Sequence, residues 1–445
     1  MRAIGASDAF IYFTSTGPGN TMEIRMDVVL SRPVAAEQLR QAADGALALF
    51  PEFSVRLVTR GGHLMYQENH APVRVYETDA PKDFAVTYCT QETNGHVLWL
   101  LLDKNDPRRF SLCCLHGMSD FAGIFVLLKT LLYRLRLLLE PGFSATEEEL
   151  RAAKIRTAVP EKWDAPERLD PYMAYGTAPQ VPAAAPETPF AVQGLPLYEP
   201  TDGRNHNYDI TLSTSAFLAK SRELKTSFAP LLVSLLTDAV ADCFDAGEEK
   251  IIASLPVDMR AVFGADTVVN FSDGVLLPLS AEQRSLPVAE QCALVRAELD
   301  AQRTREFLAP ALYGKARSAL AMAEGPYAET AARVLEPVLT KAPRKVPMTY
   351  VMTYPGRLDM PAPLAGLVTW AQPRSVQGRV RFFFLISTYG DEMTIQVCQR
   401  YDGDALPLAL AEAACRLGLK SVMTDRGTLR QSCLDPARLE EVATN

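Results

Sequence analysis

The chain has 445 residues, of which 48% are hydrophobic and 22% charged, and its net charge is −8. This length predicts two domains of roughly 200 residues each. The acidic balance argues against a nucleic-acid-binding protein, whose surface requires clustered Lys and Arg. No uncharged stretch reaches the roughly 20 residues of a membrane span, and the N-terminus lacks the apolar segment of a signal peptide.

Eight cysteines are scattered along the chain, most of them within apolar runs and none in a Cys-x-x-Cys pair. Buried, scattered thiols are typical of a reducing compartment and do not indicate a disulfide framework. We therefore expect a cytoplasmic protein.

The first 160 residues alternate between strand and helix patterns. Apolar residues recur at helical spacing from Ala35 to Phe50, and Gly61-Gly62 is a hairpin signal between two alternating runs. The run from Ile124 to Leu139 is hydrophobic on most of its circumference, which predicts a core helix. Further segments are expected at 7–15 and 22–30, with strands at 53–58, 63–67, 97–102 and 110–115.

A proline-rich segment follows, with nine prolines between 159 and 200 and little periodicity. This composition indicates a linker, so the predicted organisation is a domain at 1–160, a linker at 161–203 and a second domain at 204–445. The second domain again mixes both element types. Strands are expected at 206–212, 250–255, 268–279, 349–354, 379–387 and 393–401, and helices at 213–228, 230–244, 288–307, 310–339 and 406–417.

The chemistry centres on His116, which stands where the apolar run Phe110 to Leu115 ends. Gly117 follows at once, and Asp120 comes four residues after the histidine. An imidazole at such a break can act as a general base near neutral pH when a neighbouring group orients its ring. A structural histidine beside an N-capping aspartate explains the same residues, and both interpretations stay open at this point.

A thiol enzyme that uses Cys113 or Cys114 is a further alternative. Adjacent cysteines in an apolar strand are usually packing residues, and burial raises the pKa of a thiol.

The segment Cys114-Leu-His116-Gly-Met-Ser-Asp120 resembles the His-x-x-x-Asp signature of the CoA-dependent acyltransferase superfamily, which includes chloramphenicol acetyltransferase and condensation domains. Further stretches resemble this family in the expected order. They are Gln38 to Arg56, Leu255-Pro-Val-Asp-Met-Arg260, Val269-Asn270-Phe271 and Thr353-Tyr-Pro-Gly356.

The resemblance implies an α/β (α+β) fold of two chloramphenicol-acetyltransferase-like domains. Each is a mixed sheet with helices, and together they form a V-shaped pseudo-dimer with a tunnel between them. His116 is then the general base, and Thr353 is a candidate donor to the oxyanion. Asp120 is a structural brace whose partner is Arg260 in the second domain. The supporting residues are Gly117, Phe121, Gly123, Asn270 and Gly356.

The resemblance also implies the co-substrates. The donor is an acyl thioester, either acyl-CoA or an acyl carrier protein, and the acceptor is a hydroxyl or amine of a small molecule. No bound cofactor, metal, nucleic acid or membrane span is expected, and a monomer is expected because both domains come from one chain.

Two residues depart from the family pattern. Leu115 stands where condensation domains commonly have a second histidine, and Phe121 replaces the glycine that normally follows the aspartate. Phe121 keeps an alternative of another class open, a catalytically silent binding or scaffold protein on the same fold.

Overall fold

Strands and helices alternate along the chain in a computed structural model that describes residues 1–443 except 18, 181–186, 194, 200–201, 341–345 and 377–379. The described helices before residue 204 are α1 (Ala6–Thr14), α2 (Ala36–Leu47), α3 (Phe121–Leu139), α4 (Glu147–Ala152), α5 (Pro166–Leu169) and α6 (Pro171–Tyr175). The strands there are β1 (Arg2–Ala3), β2 (Glu23–Leu30), β3 (Val55–Arg60), β4 (His63–Glu68), β5 (Val75–Thr78), β6 (Leu98–Asp103) and β7 (Arg109–Leu115).

The later part of the chain repeats this mixture. Its described helices are α7 (Thr214–Glu223), α8 (Phe228–Phe244), α9 (Met259–Phe263), α10 (Ala281–Arg284), α11 (Val288–Gln302), α12 (Arg305–Ala323), α13 (Tyr327–Leu339) and α14 (Ala405–Arg416). Its strands are β8 (Arg204–Ser213), β9 (Ile251–Asp258), β10 (Ser272–Leu279), β11 (Tyr350–Thr353), β12 (Val368–Val376), β13 (Phe382–Tyr389), β14 (Glu392–Gln399), β15 (Ser421–Arg430) and β16 (Glu440–Glu441).

The described strands form three sheets. A seven-stranded sheet has the order β10-β9-β11-β13-β14-β8-β15, a five-stranded sheet has the order β12-β2-β7-β6-β5, and a four-stranded sheet has the order β1-β4-β3-β16. Parallel and antiparallel pairs occur together, since β11 runs parallel to β9 and β13 whereas β13 and β14 are antiparallel. The predicted mixed α/β fold class is thus confirmed.

Strand β7 and helix α3 form the unit that positions His116. The strand residues from Phe110 to Leu115 are all buried, as an uninterrupted apolar run predicts for a central strand. Helix α3 begins at Phe121 because the Asp120 side chain accepts a hydrogen bond from the Gly123 amide, which satisfies one of the unpaired amides of the first turn.

Two strands cross from the later part of the chain into the earlier sheets. Strand β12 pairs antiparallel with β2, and β16 pairs parallel with β3. The boundaries 1–160, 161–203 and 204–445 remain a prediction. The two pairings show that strands from residues 204–445 complete the sheets of residues 1–160.

The structure differs from the sequence expectations at several elements. The expected helix at 310–339 is two helices, α12 and α13, and α12 carries Pro310 inside it. Strand β12 is not among the expected strands. It contains Pro373, which is tolerated there because β12 lies at the edge of its sheet. The strand expected from 268 begins at Ser272, since residues 268–271 turn towards His116.

Within the described residues, no single helix has the length and apolar character of a membrane span. Helices α7 and α8 have this length and apolar character only when taken together, and the chain bends by 96° between them.

Candidate functional site

His116 lies in the turn between β7 and α3. Its backbone amide donates to the carbonyl oxygen of Met22 at 3.0 Å, which extends the pairing of β7 with β2 by one residue. The Met118 amide donates to the Leu115 carbonyl oxygen at 3.0 Å and closes the turn. The His116 ring is half-buried, whereas Gly117 and Met118 are buried, so one side of the ring faces protein and another is accessible.

Asn270 faces the His116 ring from the second half of the chain. The imidazole Nδ1 lies 3.2 Å from Asn270 Oδ1, and Asn270 Nδ2 donates to the Gly117 carbonyl oxygen at 2.8 Å. A carbonyl oxygen only accepts, so this contact fixes the amide with its oxygen towards His116. His116 must then donate from Nδ1, which leaves Nε2 with a free lone pair.

Asp120 is the central acceptor of the turn. Its carboxylate accepts a bidentate pair from the Arg260 guanidinium, with both N–O distances 2.9 Å, and a bond from the Phe271 amide at 2.8 Å. Arg260 also donates to the carbonyl oxygens of Thr267 and Val269. The Asp120 side chain is 7% exposed and that of Arg260 is 13% exposed, so this ion pair joins the start of α3 to the second half of the chain inside the protein.

A close approach explains the glycine at 123. A Cβ atom there would lie 1.9 Å from the carbonyl oxygen of Val268 and 2.3 Å from Ser119 Oγ. Ser119 Oγ itself donates to the Val268 carbonyl oxygen at 2.5 Å. The first turn of α3 therefore packs directly on the backbone of residues 268–271, and only glycine permits this distance.

The proline-rich segment also contacts this region. The Asp170 carboxylate accepts from the Ala6 amide at 2.7 Å, and the Tyr172 hydroxyl donates to the Ser272 carbonyl oxygen at 2.7 Å. Sequence reasoning treated these residues as a connecting segment; here they pack between α1 and the start of β10.

Three buried polar residues behind the site were missed by sequence reasoning: Asp8, Tyr12 and Tyr66. Asp8 Oδ1 lies 3.4 Å from Asn270 Nδ2, and Asp8 Oδ2 accepts from the Tyr66 hydroxyl at 3.1 Å. Tyr12 packs on Gly117, where a Cβ atom would lie 2.2 Å from its ring. The sequence pattern that could have indicated them is the acidic residue Asp8 inside the mostly apolar segment 7–15.

The other predicted site residues lie outside this cluster of hydrogen bonds. Thr353 ends strand β11, and Gly356 lies in the turn that follows with φ +95°, a backbone conformation that favours glycine. Phe121 opens helix α3 and stacks on Phe125, with ring centroids 5.8 Å apart.

Cys113 and Cys114 are both fully buried in β7. Burial raises the pKa of each thiol well above its ordinary value, with the Glu23 carboxylate adding to the effect. Thiolate chemistry at either position is therefore disfavoured. No group of three or more His, Cys, Asp or Glu side chains that could hold a metal ion occurs in the described part of the chain.

A cavity of about 620 Å³ lies near the other end of β7, where Arg109, Phe110 and Ser111 line it together with Trp370 and Arg374 of β12. Strand β7 runs from this cavity to His116, and its residues Cys113 and Leu115 are buried between the two places. The cavity is therefore separate from the histidine.

Three solved structures resemble this chain over nearly its full length. Polyketide synthase associated protein 5 from Mycobacterium tuberculosis has a TM-score of 0.60 at 15% identity, with 94% of this chain and 98% of that one covered. TRI101 from F. sporotrichioides, complexed with coenzyme A and T-2, has a TM-score of 0.59 at 13% identity, covering 92% and 98%. The epimerization domain from the third module of tyrocidine synthetase B has a TM-score of 0.61 at 13% identity, covering 94% and 95%.

No protein-family model matches the sequence, and a comparison with curated proteins gives no match. The structural likeness confirms the predicted resemblance at the level of the fold: the chain has the two-domain, chloramphenicol-acetyltransferase-like fold of CoA-dependent acyltransferases and condensation domains. At this sequence identity the reaction must be argued from the residues of the site.

Proposed function

We propose that this protein transfers an acyl group from a thioester, either acyl-CoA or an acyl carrier protein, to a hydroxyl or amine of a small molecule. The observation that carries the proposal is the contact between His116 Nδ1 and the oriented amide of Asn270. It holds the ring as a base with Nε2 available, on a half-buried side chain that substrate can reach.

In the proposed mechanism, Nε2 of His116 takes the proton from the acceptor hydroxyl or amine as its oxygen or nitrogen attacks the thioester carbonyl. The resulting imidazolium keeps its Nδ1–H bond to Asn270 Oδ1. When the tetrahedral intermediate collapses, the C–S bond breaks and the departing sulfur receives the proton from Nε2. Base and acid are thus the same nitrogen, and the products are an ester or amide and a free thiol.

Thr353 is retained as the proposed donor to the tetrahedral oxyanion, a contact that contributes strongly to acyl transfer where it exists. Asp120 is proposed to act through structure, because its oxygens are occupied by Arg260 and by the amides of Phe271 and Gly123.

Coenzyme A as a donor is supported by its presence in the TRI101 complex, a protein of the same fold. A carrier-bound donor is supported by the similarity to a domain of a synthetase module. The alternative function is a catalytically silent binding or scaffold protein, since Phe121 occupies the position after the motif aspartate and stacks on Phe125 of α3.

The test is release of free thiol from a panel of acyl-CoA donors, short to long, and of acylated carrier proteins, each mixed with pooled alcohols and amines. The wild-type protein should release thiol with at least one pair, and His116→Ala should lower turnover by about 10²–10⁴-fold, the usual contribution of a general base.

His70→Ala is the matched control, because the His70 side chain is 81% exposed, and it should retain wild-type turnover. Wild-type turnover in His116→Ala would refute the mechanism. Absence of thiol release with every donor, including acylated carrier proteins, would favour the scaffold.

A further inference from the structure

A buried carboxyl lies behind Asn270, on the side opposite His116. Asp8 belongs to the first turn of α1 and is 1% exposed. Its Oδ1 is within 3.4 Å of Asn270 Nδ2 and its Oδ2 accepts from the Tyr66 hydroxyl at 3.1 Å. Tyr66 also reaches the Tyr12 hydroxyl at 3.3 Å, so a buried polar chain runs from the two tyrosines through Asp8 to Asn270.

This position is costly for a carboxyl. A buried carboxylate is ordinarily paired with a cation, and within the described residues the ion pairs closer than 4 Å do not include Asp8. A helix N-terminus favours an acidic residue, but the oxygens of Asp8 contact side chains: Oδ1 accepts from Asn270 and from the Ser7 hydroxyl, each at 3.4 Å, and Oδ2 contacts the Tyr66 hydroxyl. Buried carboxyls with a shifted pKa concentrate at functional sites.

The two hydrogen atoms of the Asn270 amide explain why an acceptor such as Asp8 lies behind it. Nδ2 carries two hydrogens, and two acceptors face it: the Gly117 carbonyl oxygen at 2.8 Å and Asp8 Oδ1 at 3.4 Å. A rotation of the amide by 180° would place its oxygen against both acceptors and its NH₂ against His116. The ring would then have to accept at Nδ1 and carry its proton on Nε2, and it would no longer be a base at that nitrogen.

We propose that Asp8 is a positioning residue that acts on His116 through Asn270, by holding the second amide hydrogen and so favouring the Nδ1–H tautomer of the histidine. This effect of Asp8 on the His116 tautomer does not depend on which reaction the protein catalyses. Its consequence for the rate of acyl transfer rests on the proposed function.

The role requires an acceptor oxygen rather than a charge. Burial raises the pKa of Asp8 to about 8, with Asp170 raising it and Arg2, Asn270 and Tyr66 lowering it. The carboxyl is therefore mainly neutral at pH 7. Its proton then lies on Oδ2 and is donated to the Tyr66 hydroxyl, which reverses the direction of that hydrogen bond, and Oδ1 remains the carbonyl oxygen that accepts from Asn270. Asn at this position can offer the same oxygen to Asn270, because Tyr66 can turn its own proton to Tyr12.

The experiment compares Asp8→Leu, which removes the acceptor at similar volume, with Asp8→Asn, which retains it. The tautomer of His116 is read from two-bond ¹H–¹⁵N correlations of ring-labelled protein, and the His116 signal is assigned by its loss in His116→Gln. Asp8→Leu should raise the ratio of Nε2–H to Nδ1–H at least roughly fivefold, since one net hydrogen bond is lost. Asp8→Asn should keep the wild-type tautomer.

Tyr66→Phe is the matched control, because it removes a contact of Asp8 without touching Asn270, and it should also keep the wild-type tautomer. If the leucine variant does not fold, Asp8→Ala gives the same readout in a smaller side chain. An unchanged tautomer in the folded leucine or alanine variant would overturn the proposal, as would a switched tautomer in Asp8→Asn.

Kinetics separate this inference from the proposed function. Where the wild type transfers acyl groups, Asp8→Leu should lower kcat by roughly the same factor as the tautomer population and leave KM nearly unchanged, and Asp8→Asn should restore kcat. If the tautomer responds as expected but no donor and acceptor pair reacts with the wild type, the positioning stands and the proposed function fails.

Discussion

At the scale of single residues, the site is a histidine whose protonation pattern is set by its neighbours. Asn270 contributes an oxygen to Nδ1, and Gly117 and Asp8 hold the amide that carries this oxygen. In the proposed mechanism His116 acts as a base, and a base needs its tautomer fixed before substrate arrives. The polar residues behind the ring provide this without contacting the accessible side of His116.

Asp8 also predicts a dependence of stability on pH. Its pKa is raised from 3.8 to about 8 by burial, so between these values the unfolded chain releases a proton that the folded protein keeps. The contribution of Asp8 to the free energy of unfolding therefore falls as pH rises through this window, by at most about 1.4 kcal/mol per pH unit, and levels off above it.

Urea unfolding of the wild type and of Asp8→Asn at a series of pH values from 4 to 9 measures this contribution. The free energy of the wild type relative to the variant should decline across the window, because the variant lacks the titrating group. Parallel curves for the two proteins would contradict the raised pKa.

At the scale of elements, helix α3 is tied at its first turn to the segment between α9 and β10. Asp120 caps the helix through the Gly123 amide and pairs with Arg260 of α9. A Cβ atom at Gly123 would meet the Val268 carbonyl oxygen, so the two backbones are in contact. These contacts set the distance between the turn that carries His116 and the loop that carries Asn270.

Arg260→Met should therefore be strongly destabilising. It removes one member of a buried ion pair and leaves the Asp120 carboxylate without its cation, which costs about 3–5 kcal/mol of unfolding free energy. Arg40→Met is the matched control, since the Arg40 side chain is 34% exposed, against 13% for Arg260, and pairs with Glu37 and Asp44 near the surface, where ion pairs contribute little. Denaturant unfolding of both variants measures the difference, and equal losses would refute the role of the buried pair.

At the scale of the whole molecule, the two halves of the chain share their sheets. Strand β12 occupies the edge of the five-stranded sheet beside β2, and β16 adds to β3. Arg374 of β12 pairs with Asp209 of β8 at 2.8 Å and lies 3.6 Å from Asp27 of β2. Separating the first half of the chain from the second would leave β2 with an unpaired edge and the buried Asp120 carboxylate without Arg260.

We therefore expect the molecule to unfold as one unit. Differential scanning calorimetry should give a single transition whose calorimetric and van't Hoff enthalpies agree. Arg374→Met, which removes the link between β12 and β8, should lower the midpoint. Two well-separated transitions in the wild type would show that the halves are independent.

Much of the site could be located from the sequence, because local patterns carry that information. The apolar run of β7, the glycine after His116 and the helical run of α3 placed the histidine at a strand-to-helix turn. The helix expected at 35–50 is α2, Ala36–Leu47, and the core helix expected at 124–139 is part of α3. Periodicity and turn residues determine such elements within a few neighbouring residues.

Other features were decided only by the tertiary structure. Strand β12 became a strand by pairing with β2, although Pro373 weakens its local pattern. The tautomer of His116 depends on Asn270, 154 residues away, and the hydrogen bond from Asn270 to Asp8 spans 262 residues. The sequence alone determined where the histidine stands, and the fold decided what holds it, because hydrogen bonds between distant residues leave no periodic signal along the chain.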